Sequence, residues 1–196
     1  MNQSNFSLIP FVDRAVAQIQ ITGSISRQED CLDVKYQLSG DLSKIIIPPP
    51  SQTANRQYDL WEHTCFELFL RLSNTTKYWE FNLSPTKDWN VFYFADYRHP
   101  CPAFLRQGLR MTAFRSQNLA EETAIASLPC EIWQTFESLQ VSLKIDLNKI
   151  MPAKSDLDIA VATVIENQER QLSYWALTHP ASKADFHHQD SFAISL

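Results

Sequence analysis

The amino-acid sequence predicts an all-β protein, an antiparallel β-sandwich with one short helical turn near its C-terminus. Apolar and polar residues alternate with a period of two in several segments, as they do in strands with one buried face. No segment keeps the 3.6-residue period of an amphipathic helix. The 196 residues contain no internal repeat and no break in composition, so we expect a single domain over residues 1–196.

The elements follow from this alternation in chain order. The clearest strand candidates are residues 15–21, 32–38 and 139–147. Weaker strand candidates are residues 109–115, 123–129 and 131–137. Prolines predict long loops at residues 48–57 and 98–106, and we expect the helical turn within residues 180–188. Because the chain has only three glycines, we expect its turns to use Asn, Asp, Ser and Pro instead.

Residues 60–98 predict three successive antiparallel strands with one apolar face and one mixed face. On the mixed face, the first two strands place Cys65, Glu67, Phe69, Arg71, Tyr78, Glu80, Asn82 and Ser84. For the third strand, the alternation predicts Phe92 and Phe94 on the apolar face, and Trp89, Val91 and Tyr93 on the mixed face.

Turns at residues 73–76 and 85–88 would bring the polar side chains of these strands together. Glu67 would lie opposite Asn82, and Glu80 opposite Tyr93, with Arg71 beside them. Aromatic rings beside carboxylate, amide and guanidinium groups suit a sugar, because its C–H faces stack on rings while its hydroxyls pair with polar groups. The plain alternative is a structural network in which Arg71 neutralises Glu80 and Asn82 pairs with Glu67.

A further hairpin is predicted from residues 157–165 and 171–177, joined through residues 167–168. Its alternation would place Trp175 on the mixed face, opposite the small side chains of Ala160 and Ala162. That arrangement leaves a volume for a ligand, for a covering loop or for the indole itself.

Composition disfavours several classes of function. The three glycines lie far apart, so the chain has no GxGxxG, Walker or GxSxG loop, and most nucleotide enzymes are disfavoured. The net charge of −5, with scattered basic residues, argues against a nucleic-acid partner. No apolar stretch approaches the roughly 20 residues that span a bilayer, and the N-terminal residues lack the basic and apolar regions of a leader. We therefore expect a cytoplasmic protein without membrane partners.

The cysteines and histidines indicate no metal site and no cofactor. The four cysteines show no CxxC or CxxH spacing, so we expect free thiols. His63 precedes Cys65 by two residues, but we favour a histidine that orients its loop over a Cys/His pair. In the C-terminal tail we expect His187 to fold the last loop over the sheet, and Lys183 and Asp185 to be surface or loop-closing charges rather than parts of a metal site.

Three segments carry a resemblance to a known family: LWEHTCFELFLRL, YWEFNLSPTKDWNVFYFADYR and SYWALTHPASKADFHHQDSFAISL. Over roughly residues 10–196 the chain resembles the bacterial stand-alone DOMON-like proteins, which are similar to family 9 carbohydrate-binding modules. The resemblance implies a sandwich of two antiparallel sheets with a ligand on the concave side of one sheet.

The resemblance also implies roles for individual residues. Trp61 matches a tryptophan that helps to sandwich a sugar ring, and Trp175 is the candidate for the second aromatic side chain. Glu67, Glu80 and Asn82 match polar groups of the sugar site. Haem-binding relatives use a methionine and a histidine as axial ligands, but Met111 and Met151 lie in no segment that matches them, so haem is a minor option.

Three functions follow from these observations. The first is a non-catalytic module that binds a sugar or sugar derivative through Trp61, Glu67, Arg71, Glu80, Asn82, Tyr93 and Trp175. The second is a glycosidase-like hydrolase that uses Glu67 and Glu80 as its carboxylate pair. The third is a structural or interaction module whose mixed face is covered by its own loops or by a second copy in a homo-oligomer.

Overall fold

The computed structural model of this chain describes residues 2–12, 18–100 and 125–196. In chain order its strands are β1 (Asn2–Ser7), β2 (Ile9–Pro10), β3 (Ile19–Gln28), β4 (Cys31–Gly40), β5 (Cys65–Leu72), β6 (Tyr78–Leu83), β7 (Trp89–Asp96), β8 (His99–Pro100), β9 (Cys130–Gln134), β10 (Ser138–Asp146), β11 (Leu157–Glu166), β12 (Leu172–Ala176) and β13 (Ile194–Ser195). The helical segments of the described residues are 3₁₀ turns, Leu42–Lys44, Leu60–Glu62, Leu147–Lys149 and Gln189–Ser191.

These strands form two sheets in which every ladder between named strands is antiparallel. The first sheet has five strands in the order β1-β3-β4-β10-β9. The second sheet runs β2-β12-β11-β5-β6-β7-β8, and β13 pairs with β11 beside it. The prediction of an all-β antiparallel sandwich is therefore confirmed.

The inner faces of the two sheets enclose the main hydrophobic core. Ile21, Val34 and Leu143 come from the first sheet, and Leu68 and Phe81 from the second, and all five are fully buried. Burial of each such side chain contributes about 1.5–3 kcal/mol. Tyr36, also fully buried, spans this core and donates its hydroxyl to the backbone oxygen of Glu67 at 2.8 Å. The first sheet thus supports the second directly beneath the predicted polar cluster.

Most of the predicted elements occur, with shifted ends. The strands predicted at residues 32–38, 139–147 and 131–137 are confirmed as β4, β10 and β9. Residues 125–129 form no strand, so the prediction for residues 123–129 is wrong over that part. The helical turn lies at Gln189–Ser191, just after the predicted range, where the His188 side chain accepts from the Asp190 amide and caps it. The strand predicted at residues 109–115 and the start of the one predicted at residues 15–21 lie outside the described residues.

Two of the three glycines stand where a side chain would not fit. A Cβ at Gly23 would lie 2.1 Å from the Lys35 carbonyl oxygen and 2.3 Å from the ring of Phe6. Gly40 has a φ of +120° and an equally close contact with the Gln18 carbonyl. Turn positions with positive φ are often occupied by glycine in proteins. In this chain other residues occupy them, among them Asn74, Lys87 and Arg170.

No helix within the described part of the chain is both long and apolar enough to cross a membrane.

Candidate functional site

The predicted pairing of the first two central strands is confirmed residue by residue. Glu67 lies opposite Asn82, Phe69 opposite Glu80, and Arg71 opposite Tyr78. Asn74 occupies the left-handed position of the connecting turn at φ 65°, a conformation that asparagine adopts readily. The outer face of the second sheet, which is the mixed face of the sequence analysis, therefore carries the two glutamates and the asparagine together.

The predicted pairing of β6 with β7 is wrong by one residue. Asn82 lies opposite Asn90, and Glu80 lies opposite Phe92 rather than Tyr93. The loop contains three residues, 85–87, because the Ser84 amide donates to the Asp88 carbonyl at 2.8 Å, and Lys87 adopts a φ of 75°. A one-residue change in register moves every side chain of a strand to the other face.

Tyr93 therefore lies on the inner face of the second sheet, outside the cluster. Its ring packs against Trp79 with ring centroids 4.6 Å apart, in the core between the sheets. Phe92 and Phe94 take the outer face instead, where they join a second hydrophobic cluster with Phe69 and Tyr78.

The sheet face predicted for Trp175 is wrong for the same reason. The β11–β12 hairpin has a three-residue loop, 168–170, closed by the Asn167 amide on the Gln171 carbonyl at 2.9 Å, and Arg170 has a φ of 63°. Trp175 consequently lies opposite Thr163 and is buried in the core between the sheets. It does not face the alanines of β11, so the predicted second aromatic wall is not at this position.

Glu67, Glu80 and Asn82 form the buried polar floor of the outer face. Glu67 is 3% exposed and Glu80 is 5% exposed. The Asn82 amide donates to Glu80 Oε1 at 2.7 Å, whereas the buried Glu67 Oε1 has no hydrogen-bond partner among the described residues. Asn82 thus pairs with Glu80 and not with Glu67, contrary to the simple network considered from the sequence.

Arg71 does not neutralise Glu80. Its Nε lies 3.2 Å from Asp158 Oδ2 on the adjacent strand β11, and its guanidinium stacks over the Phe192 ring at 4.3 Å. Arg71 therefore lies on the predicted face but forms a separate ion pair with Asp158.

Burial without a contacting cation changes the protonation of the two glutamates. Burial, with the neighbouring Glu80 carboxylate, raises the pKa of Glu67 well above its usual range. Burial also raises the pKa of Glu80 to about 7, although the hydrogen bond from Asn82 and the Arg98 charge oppose the shift. Both shifts extend the pH range over which these carboxyl groups stay protonated beyond that of a solvent-exposed glutamate.

Residues 185–192, here called the C-terminal cover, close one side of this floor. The His187 ring contacts the rings of Phe69, Tyr78 and Phe94, and its Nδ1 shares a hydrogen bond of 2.8 Å with the Tyr78 hydroxyl. His187 Nε2 lies 3.8 Å from Glu80 Oε2, and burial lowers the pKa of His187 to about 4. The predicted role of His187 in folding the last loop over the sheet is confirmed.

Asp185 fastens the start of the cover to the segment after β7. It accepts hydrogen bonds from Arg98 Nη2 at 2.8 Å and from the Tyr97 hydroxyl. These partners, chiefly the two side-chain hydrogen bonds, lower the pKa of Asp185 against the opposing effect of burial. The predicted loop-closing charge is confirmed for Asp185.

Residues 57–64, here called the front loop, lie over the other side of the floor. The Trp61 ring, 37% exposed, meets Phe92 edge-on at 5.8 Å, and Tyr58 meets the same ring at 6.2 Å. His63 Nδ1 bonds to Glu166 Oε2 at 2.9 Å and so orients the loop, as predicted, without pairing with Cys65.

Glu80 lies at the junction of the two covering segments. Its neighbour on β5 is Phe69, which contacts the C-terminal cover, and its neighbour on β7 is Phe92, which contacts the front loop. We call this junction the seam. In this structure the seam is closed above Glu67 and Glu80, since both are nearly inaccessible to solvent.

The remaining candidates lie apart from the seam. Within residues 2–12, 18–100 and 125–196, no group of three or more His, Cys, Asp or Glu side chains could hold a metal ion. His179 bonds to the Ile9 carbonyl, and Met151 packs against the core between the sheets. Met111, the other internal methionine, lies outside the described residues.

A surface cavity of about 530 Å³ lies at one end of the first sheet, lined by Glu29, Asp30, Lys144 and Lys149 among others.

Several solved structures have a fold similar to that of this chain. No protein-family model and no curated protein matches the sequence. A provisionally assigned carbohydrate-binding protein from Bacteroides uniformis matches with a TM-score of 0.60 and 10% identity, over 96% of this chain and 83% of the other. A family 9 carbohydrate-binding module from Caldicellulosiruptor kristjanssonii, solved with cellotriose, has a TM-score of 0.52 and 9% identity, over 89% of this chain and 73% of its own.

The same kind of module solved with glucose gives a TM-score of 0.51 and 8% identity, over 86% of this chain and 72% of the module. At these identities the likeness concerns the fold, which is that of the family 9 carbohydrate-binding modules. The relation to DOMON-like proteins stays a prediction.

Proposed function

We propose that this protein binds a carbohydrate, or a similar polyhydroxylated small molecule, at the seam, and that it does so without catalysis. Trp61 would stack on a sugar face from the front loop, while Glu67, Glu80 and Asn82 would pair with hydroxyl groups from below. Arg71, Tyr93 and Trp175 are not part of this proposed site, because their side chains are engaged or directed elsewhere.

The unpartnered, buried oxygen of Glu67 carries this proposal. A buried acceptor without a donor costs about 1–3 kcal/mol, so proteins seldom keep one without a function. A sugar hydroxyl that entered the seam would satisfy this oxygen, and the half-exposed indole of Trp61 nearby offers the stacking surface that sugars use. The fold supports the proposal, since the similar modules were solved with cellotriose and glucose.

Closure of the seam adds a requirement to the proposal. Because Glu67 and Glu80 are at most 5% exposed, a ligand reaches them only when the front loop or the C-terminal cover moves. The cover is held by ring contacts of His187 and Phe192 as well as by hydrogen bonds of Asp185 and His187, and the front loop by edge contacts of Trp61 and Tyr58, so either movement breaks packing contacts. The proposed ligand is therefore a mono- or disaccharide rather than a long polymer on an open face.

Ligand binding to the intact chain tests the proposal. Thermal unfolding and tryptophan fluorescence would be followed with a panel of mono- and disaccharides, because a ligand at 100 times its Kd stabilises by about 2.7 kcal/mol. Trp61→Ala should abolish the stabilisation by the sugars that bind. Trp133→Ala is the matched control, since Trp133 is 51% exposed on the other sheet and should leave binding unchanged. If no sugar stabilises the chain, the proposal fails.

A hydrolase is the second candidate, because a carboxyl with a pKa of about 7 suits a general acid at neutral pH. Release of nitrophenol from nitrophenyl glycosides would reveal it, and Glu80→Gln should abolish that release. Turnover that depends on Glu80 would replace binding with hydrolysis as the function of the same seam.

A closed interaction module is the third candidate, favoured by the two covering segments. It requires every buried polar group to be satisfied within the chain, and Glu67 Oε1 does not meet that condition. Failure of every sugar to bind, together with normal stability of Trp61→Ala, would favour this candidate.

A further inference from the structure

The polar floor holds two carboxyl groups and no contacting cation among the described residues. Two arginines on this side of the second sheet are each engaged by another carboxylate, Arg71 by Asp158 at 3.2 Å and Arg98 by Asp185 at 2.8 Å. Arg98 influences both glutamates through space but forms no ion pair with either. The negative charge that develops when these glutamates ionise therefore has no local counter-ion.

The free carboxylate oxygens also lack donors. Glu67 Oε1 has no partner among the described residues, and Glu80 Oε2 lies 3.8 Å from His187 Nε2, too far for a hydrogen bond. His187 is neutral at physiological pH, because burial lowers its pKa to about 4. Each of these two neighbouring acidic groups therefore has an oxygen below the seam without a charged donor among the described residues.

The walls of the seam suit a cation as well as they suit a sugar ring. Phe92 lies directly beside Glu80, and Trp61 and Tyr58 stand over Phe92. The faces of aromatic rings attract ammonium groups, most strongly those of tryptophan. An ammonium group is also a compact donor of three hydrogen bonds, enough to reach both glutamates.

We propose that the ligand presents a protonated amine to Glu67 and Glu80, and that the protein selects an amino sugar over a neutral or N-acetylated sugar. This inference rests on the proposed sugar site. A neutral hydroxyl could satisfy Glu67 Oε1, but only an ammonium group also compensates the charge of the two carboxylates. Charge-assisted hydrogen bonds of this kind are roughly twice as strong as neutral ones.

The pH dependence of binding follows from the same groups. The ionisable side chains around the two glutamates are Tyr36, Cys65, Arg71, Tyr78, Tyr97, Arg98, Asp158, Asp185 and His187. Burial raises the pKa of Glu80 to about 7, so this carboxyl group loses its proton between about pH 6 and pH 8, whereas His187, with a pKa of about 4, stays neutral there. Because an ammonium group favours ionised carboxylates, its binding releases protons, and the affinity rises with pH over this range.

Titration calorimetry with glucosamine, glucose and N-acetylglucosamine tests the inference. Glucosamine should bind at least tenfold more tightly than the other two at pH 7, with proton release visible as an enthalpy that depends on the buffer. Glu67→Gln and Glu80→Gln should remove this preference. Glu131→Gln is the matched control, since Glu131 is exposed on the first sheet. Thermal unfolding of each variant shows whether it is folded.

The outcomes separate this inference from the proposed function. Equal or tighter binding of glucose, or binding of glucosamine without proton release, would overturn the amine preference and leave the sugar site intact. Failure of all three sugars and of the wider panel would overturn both. If the glutamine variants do not fold, the proton release and pH dependence of the unmodified protein still decide the matter.

Discussion

One row of side chains crosses all five strands on the outer face of the first sheet: Ser7, Thr22, Gln37, Gln140 and Trp133. The row is polar apart from its last member, and solvent reaches it. On the outer face of the second sheet, the comparable row places Glu80 between Phe69 and Phe92, beneath two covering segments. The first sheet has one buried face, as is common for antiparallel sheets, and the second is buried on both.

This contrast shows where the molecule holds groups that folding alone does not require. Open polar rows are hydrated and contribute little to stability. Two buried carboxyl groups, by contrast, oppose folding when they ionise, because burial disfavours the charged form. The second outer face therefore loses stability to groups that the proposed site requires.

Removal of the Phe69 ring, which lies beneath the C-terminal cover, should reduce the free energy of unfolding more than the other changes. Phe69→Ala deletes a fully buried ring that contacts Tyr78, His187 and Phe192, and we expect a loss of about 3–5 kcal/mol in the free energy of unfolding. Gln37→Ala, in the open row, should change it by less than about 0.5 kcal/mol. Chemical denaturation measures both, and equal effects would mean that the second outer face is not closely packed.

Neutralising one carboxyl group should stabilise the protein in a pH-dependent way. The folded state raises the pKa of Glu80 from about 4.5 to about 7, so it binds this proton more tightly than the unfolded chain does. Glu80→Gln should gain stability relative to the unmodified protein as pH rises from 4.5 to 8, by about 2–3 kcal/mol. Glu131→Gln, on the open face, should show no such trend, and a flat difference for Glu80→Gln would contradict the burial of its charge.

His187, in the C-terminal cover, should make the stability of the protein depend on pH in the opposite direction. Since folding lowers the pKa of His187 from 6.5 to about 4, the unfolded chain binds this proton more tightly, and stability is lost as pH falls through that range. His187→Asn should be less stable than the unmodified protein at pH 7. Its deficit should shrink by about 2 kcal/mol between pH 6.5 and pH 4.

Unfolding curves at a series of pH values measure this change. His188→Asn is the control, because His188 lies in the same segment but without contact to Glu80 or Tyr78. A deficit for His187→Asn that does not vary with pH would mean that the cover leaves His187 open to protonation in the folded state.

The smallest effect concerns the turn that decides which residues of β7 face outward. Lys87 holds a φ of 75°, which glycine adopts without strain. Lys87→Gly should therefore stabilise the protein by up to about 1 kcal/mol, whereas Lys77→Gly, at a position without positive φ, should destabilise it by a similar amount. Melting temperatures distinguish the two, and destabilisation by Lys87→Gly would contradict the three-residue loop.

Three hairpins of the second sheet, β5–β6, β6–β7 and β11–β12, explain which parts of the site could be predicted. Asn74 marks the β5–β6 turn, since asparagine is a common left-handed residue, and the pairing predicted there is correct. Lys87 and Arg170 occupy the equivalent positions in the other two hairpins, and neither residue type indicates a left-handed turn. The faces predicted for Tyr93 and Trp175 were wrong for this one reason.

The sandwich and the acidic floor can be predicted from the amino-acid sequence, because a two-residue alternation is a local property and one well-marked turn sets Glu67 beside Asn82. What lies over that floor depends on contacts between distant parts of the chain. His187 meets Tyr78 from 109 residues away along the chain, and Arg71 takes its partner Asp158 from 87 residues away. No local pattern encodes such contacts, since they exist only once both sheets have packed and the chain returns across the second one.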